Sequence, residues 1–305
     1  MLSLIVFLTC FASSPPDQYV ILKADDWYAQ KGTNAWNTQW KRYFDYLEEM
    51  GIKSSAGIIA GRLRDSGPAG IAYTRALLDS GMVEYWNHGW DHSSTAKSYD
   101  DASFEYETDD TDAKGTYEFQ GTPYEYQLEH LQWAQQEVYD YFGVWMPAFG
   151  APFNKTDVNT VLAFCTTPHL DIWYYPHHQT PSYILRLPRL CEIEVPTGEP
   201  NFAEFLLQYN PDTSPLVLQL HPGNTAWATR FAEFEQCIEF LLDQAAIFVT
   251  PTEYRQIVYG PEGEGEGEGE VEGEGEGQGE GEDEDEGEDH GNVPQVDAAN
   301  PWCCR

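Results

Sequence analysis

The feature that most constrains the fold is a rhythm of short apolar runs, each followed by a stretch whose apolar residues recur at helical spacing. The runs are residues 19–24, 52–60, 82–86, 144–149, 170–175, 216–220 and 247–249. Runs this short, without polar alternation, suit strands buried on both faces, as in a parallel sheet. Between them lie helical patterns. One carries Trp36, Trp40, Tyr43, Phe44 and Leu47 and stops at Gly51; others cover 71–80, 122–142, 157–164, 202–209 and 231–245. Thr122-Pro123 and Thr250-Pro251-Thr252-Glu253 read as helix starts, with a hydroxyl at the cap and proline in the first turn. Residues 183–190 and 192–195 read as extended pieces. Strand–helix alternation throughout predicts an α/β fold on a parallel sheet, open or closed as a barrel.

The chain has 305 residues, 41% of them hydrophobic, enough for one large core spanning 17–260. Residues 1–14 read as a signal peptide, from the apolar run Leu4-Ile5-Val6-Phe7-Leu8. That run is too short for the ~20 residues of a membrane span, so no integral membrane segment is expected in the mature chain. Residues 261–299 are Glu-Gly repeats and an acidic run that cannot bury a core, a disordered acidic linker; 300–305 stay unassigned. From Pro261 onward there are seventeen acids and one base, leaving 34 acids against 15 bases before it. The folded part is therefore acidic in its own right, which excludes a nucleic-acid-binding footprint. The six cysteines have no CxxC spacing; those at 165, 191 and 237 read mainly as small buried hydrophobes, with one disulfide open to an oxidising compartment. Residues 94–121 are polar and aperiodic, an insertion or active-site loop.

In parallel α/β folds chemistry gathers where strands end. The polar residues found there are Asp25 and Asp26, His88 and His92, Asp171, and His221. His88 and His92 stand four apart behind an apolar run, so a turn at Gly89 can close both imidazoles on one cation. Two imidazoles, one carboxylate and an open position make a common hydrolytic zinc arrangement. A second carboxylate then serves as base and a further histidine as acid.

These segments resemble, in order, the motifs of the polysaccharide deacetylase superfamily, the NodB-homology domain of carbohydrate esterase family four. Asp25-Asp26 resembles its first motif, His88-Gly89-Trp90-Asp91-His92-Ser93 its second, and Leu218-Gln219-Leu220-His221 its last. The resemblance covers residues 19–259 and implies a distorted (β/α)7 barrel. It also implies Asp26, His88 and His92 as metal ligands, Asp25 as catalytic base and His221 as general acid. The implied cofactor is a divalent metal, zinc first, with cobalt, nickel or manganese as alternatives. The implied substrate is an acetylated glycan, N- or O-acetyl, met by a secreted or cell-surface (periplasmic) monomer. Two departures mark a divergent branch. The third motif, Arg-x-Pro-Tyr in the family, here reads Gly150-Ala151-Pro152-Phe153, without the arginine that positions the base. The fourth is thinned to Asp171-Ile172-Trp173.

Around this core, Trp27, Trp90, Phe153, Trp173 and Tyr174 form a candidate sugar-stacking floor, with Trp90 and Trp173 favoured. Asp91 is a candidate to orient a ligand histidine, a backbone N–H near Pro152-Phe153 to meet the oxyanion, and Asn154 lies close in sequence. The missing arginine keeps an alternative open: a non-catalytic glycan-binding module that retains the fold. A glycosidase using Asp25 and Asp26 is weaker, because adjacent strand residues point to opposite faces.

Overall fold

The computed structural model describes residues 17–28, 38–94 and 117–260; the expected signal, the acidic linker, the last residues and most of the 94–121 loop lie outside them. The elements run β1 (Tyr19–Trp27), α1 (Thr38–Met50), β2 (Ser54–Ile58), α2 (Pro68–Asp79), β3 (Val83–Asn87), α3 (Tyr124–Phe142), β4 (Ala148–Phe149), α4 (Val158–Thr166), β5 (Ile172–Tyr174), β6 (Leu185–Leu187), α5 (Phe202–Gln208), β7 (Leu216–Leu220), α6 (Trp227–Asp243), β8 (Ile247–Phe248) and α7 (Pro251–Tyr259). The strands pair in the order β6-β5-β4-β3-β2-β1-β7, all parallel, and β8 pairs the start of β1. The sheet curls into a nearly closed barrel with flanking helices, the expected distorted (β/α)7 architecture.

The two faces of β1 explain the layering. Val20, Leu22 and Ala24 join the large cluster between sheet and helices, with Trp40, Phe44, Phe234 and Ile238. Ile21 packs with Trp86, Tyr174, Leu187 and Val217 in a smaller, separate cluster. Period-two alternation places Lys23 and Asp25 on the same face as Ile21. Trp86, fully buried, lies in a slot cut by two glycines: a Cβ on Gly57 would meet its ring at 2.4 Å and one on Gly150 at 2.8 Å.

Several elements differ from the sequence expectation. β1 runs on through Asp25 and Asp26, and its register against β2 shifts between Ala24 and Trp27. Asp26 sits there at φ 68°, a bulge that bends the strand. The pleat therefore does not hold Asp25 and Asp26 on opposite faces. Residues 192–195 form no strand, only a bridge between Glu194 and Pro200. Thr122 does not cap α3; Pro123 occupies the cap position, and the Thr122 hydroxyl donates to Glu118 O at 3.0 Å. Thr250 does cap α7, in a reciprocal box with Glu253. Cys191 and Cys237 are buried and free.

Candidate metal centre

The centre sits where β1, β3 and β7 end. Asp26 comes from the β1 bulge; His88 directly follows β3; His92 lies four residues on, past Gly89 at φ 79° and itself at φ 58°. His88 Nε2 is 3.2 Å and His92 Nε2 3.1 Å from Asp26 Oδ1. The three ligand-type atoms lie within 4.8 Å of one another. His88 is 1% exposed and its Nδ1–H donates to Gly150 O at 2.6 Å, which fixes the tautomer and turns Nε2 toward Asp26. Burial opposes charge on Asp26, but its contacts with the ring nitrogens of His88 and His92 outweigh it and hold the carboxyl well below its usual range. Burial likewise works against a charged His92, and the Asp26 contact overcomes it, raising its pKa. A carboxylate gripped by two imidazole nitrogens, one with its other nitrogen tied to a carbonyl, is a donor set that suits a divalent cation.

The turn carrying these histidines is held by a residue that sequence reasoning passed over. Glu118, fully buried, accepts backbone N–H bonds from Trp90 (2.5 Å) and His92 (2.8 Å) and a third contact from His130 Nδ1 (3.0 Å). A Cβ on Gly89 would meet Glu118 Oε2 at 2.5 Å, so Gly89 serves both the positive φ and the close approach. Asp91 closes the turn locally, accepting from Ser93 N at 2.8 Å; burial, with Glu118 nearby, pushes its carboxyl up to about 6. The carboxylate that fixes the histidine turn as a whole is Glu118, which lies in the segment read as an aperiodic loop.

Asp25 is 2% exposed. It accepts from Gln219 Nε2 at 2.6 Å and from Lys23 Nζ, which reaches both its oxygens at 2.6 Å. Its Oδ2 stands 3.9 Å from His221 Nε2. Behind His221, Glu194 takes the Nδ1–H at 2.6 Å and the backbone N–H at 2.6 Å, while also accepting from Trp227 Nε1 and Gly198 N. Burial alone would depress His221, but the Glu194 carboxylate prevails and raises it to about 9. Glu194 lies in the connection between β6 and β7; nothing in its short extended stretch signals this role.

The remaining candidates separate. Asp171 precedes β5, so it lies at the opposite end of the barrel, paired with Arg255 at 2.7 Å. Trp173 is fully buried and stacks on Phe164 at 4.8 Å. Trp27 packs edge-on against Trp40 and Phe44, and Tyr174 is sealed by a bond to Ser55. Trp90 is 8% exposed and rests on Trp133. These rings are core, and the expected stacking floor reduces to Phe153. That ring is 42% exposed at φ 57°, with its centroid 4.4 Å from His92 and 5.2 Å from Tyr117. Pro152 is buried beneath it, and Asn154 Nδ2 donates to Gln219 Oε1 at 3.1 Å.

Solved structures share this architecture. A family 4 acetyl xylan esterase from Clostridium thermocellum, solved with a cobalt ion, superposes over 80% of this chain and 93% of its own at 15% identity and TM-score 0.54. The fold is that of the family 4 carbohydrate esterases. A pseudoenzyme of that family from Bacillus anthracis superposes with TM-score 0.52 at 12% identity, over 79% of this chain and 66% of its own. The esterase domain of a multidomain xylanase from a Trinervitermes trinervoides hindgut metagenome gives TM-score 0.51 at 13% identity, over 79% and 92%. No protein-family sequence model matches the chain, and no curated protein sequence matches it. The esterase-type fold read from the motifs is thus present at an identity that carries fold alone. No helix among the described residues is long and apolar enough to cross a membrane.

Proposed function

We propose that this protein is a metal-dependent hydrolase that removes acetyl groups, N- or O-linked, from a glycan. One observation carries the reading: Asp26, His88 and His92 converge on one point, with the Asp25–His221 pair 3.9 Å apart beside it. Asp26 Oδ1 and the two Nε2 atoms would hold the cation, with zinc first and cobalt, nickel or manganese able to replace it. When bound, such an ion polarises the acetyl carbonyl and lowers the pKa of a water toward ~7. Asp25 takes the proton from the attacking water. The N–H of Phe153 donates to the oxygen that gains charge in the tetrahedral state. His221, protonated on Nε2 and anchored through Nδ1 by Glu194, gives its proton to the departing amine or alcohol. Acetate and a deacetylated sugar result. Phe153, the exposed ring at the mouth, stacks on the sugar face. The N-terminal apolar run supports export and a secreted or cell-surface site of action.

The test is acetate release from acetylated xylan, chitooligosaccharides and peptidoglycan fragments by metal-loaded protein. Asp25→Asn is expected to lower release at least about 10²-fold, the contribution of a general base, with one metal per chain retained. Metal-loaded wild type that releases no acetate from any of them overturns the reading. The absence of an arginine at Gly150 favours one second reading, a glycan-binding module without turnover. It predicts saturable glycan binding that Asp25→Asn leaves unchanged.

A further inference from the structure

Lys23 stands in the middle of a strand that is otherwise apolar up to Asp25, and it is fully buried. An ammonium at such a place costs desolvation that a leucine or methionine would not. Its side chain runs along the inner face of the barrel. Nζ lies 4.6 Å from the Trp86 ring centroid, 5.1 Å from Tyr175 and 5.5 Å from Tyr174, an aromatic sleeve that attracts a cation. Among the described residues its hydrogen bonds go to the two oxygens of Asp25, at 2.6 Å each. The i,i+2 spacing on one strand puts both side chains on one face. The space beside them is closed by the same set of residues: a Cβ on Gly150 would come within 2.8 Å of the Trp86 ring and 3.2 Å of Lys23 Cε. Lysine at 23 and glycine at 150 therefore fit each other, and a side chain reaching Asp25 from position 150 fits neither Trp86 nor Lys23.

We propose that Lys23 is the positioning residue of Asp25: its ammonium, delivered along β1 through a sleeve of Trp86, Tyr174 and Tyr175, aims and charge-balances the base carboxylate from behind. Gln219, donating to Asp25 Oδ2 at 2.6 Å, sets the second direction, and the pair fixes the carboxylate against rotation. The chain thus supports its base from the strand that carries the first motif, two residues before Asp25, where an arginine of the third motif is absent. This rests on the deacetylase reading above.

The experiment has a kinetic and a structural arm. In the kinetic arm, Lys23→Met is expected to lower kcat by about 10²-fold with KM near the wild-type value. Lys23→Gln, which retains a donor, is expected to fall between. Placed on Asp25→Asn, Lys23→Met is expected to cost no more than about twofold further, because a residue that acts through Asp25 has nothing left to position. A full, independent loss in the double variant, or an unchanged kcat in Lys23→Met, overturns the proposal. In the structural arm, crystals of metal-loaded Lys23→Met, or of Lys23→Gln where the methionine variant does not fold, are expected to show the Asp25 carboxylate rotated off its present 3.9 Å approach to His221. An Asp25 carboxylate unmoved in the variant overturns the positioning role. That arm needs no turnover, so a protein that releases no acetate defeats the deacetylase reading while the placement of Asp25 by Lys23 is still decided.

Discussion

At the scale of single residues, the proposed reaction turns on the charge of His221, which would protonate the leaving group. Burial lowers its proton affinity, but the Glu194 carboxylate 2.6 Å from Nδ1 reverses this and lifts the pKa to about 9. The folded value stands above the ordinary imidazole value of about 6.5. The pair therefore stabilises the fold fully below that ordinary value, and the contribution is lost as pH rises through about 9. In the proposed reaction His221 would stay a proton donor across neutral pH, and the basic limb of kcat/KM would report its loss. Glu194→Gln removes the anion and keeps a hydrogen-bond acceptor. The basic limb is expected to move to lower pH by about one to two units, read from initial rates between pH 6 and 10. A basic limb that stays in place removes Glu194 from the general-acid pair.

At the scale of elements, local devices set where each strand delivers its side chains. The bulge at Asp26 lets two consecutive carboxylates serve one mouth, Asp26 facing His88 and His92 and Asp25 facing His221. The four-residue turn from His88 to His92 depends on Gly89 and on the buried Glu118. Beside it, α4 begins with a reciprocal cap in which Asp157 accepts from Asn159 N and Thr160 N. The same carboxylate takes bonds from Gly121 N at 2.8 Å and Gln127 Nε2 at 3.0 Å, tying α3, α4 and the end of the Glu118 segment together. Asp157→Ala is expected to cost about 2 kcal/mol, the upper range for a lost N-cap, measured as a shift in urea midpoint at constant slope. A cost under about 0.5 kcal/mol means the extra bonds contribute nothing.

For the whole molecule, the proposed centre would join the first strand to the third through donor atoms that the unfolded chain does not hold together. A cation that binds only the folded state stabilises it by mass action, about 2.7 kcal/mol at a hundred times Kd. The melting temperature is accordingly expected to rise with added zinc or cobalt and to fall back with chelator. His88→Ala, which removes one ligand, is expected to lose most of that rise. Equal shifts in wild type and His88→Ala place the ion elsewhere.

What the sequence by itself determined follows from period and order. Unbroken apolar runs alternating with helical patterns fix a parallel sheet, because only strands covered on both faces lack polar alternation. Asp25-Asp26, His88, His92 and His221 fall at strand ends for the same reason. Lys23 was legible in principle, as a lone charge inside an apolar strand two residues from an aspartate. What only the tertiary structure decided is which distant groups share the mouth. Glu118 lies in a stretch without period and Glu194 in a short extended piece, so nothing local marks them as buried acceptors. Asp171 looks like a strand-end residue until the strand is seen to begin after it, at the far end of the barrel. Trp27 and Trp173 are apolar rings whose side of the sheet depends on register, and register is set by the neighbours they pack against.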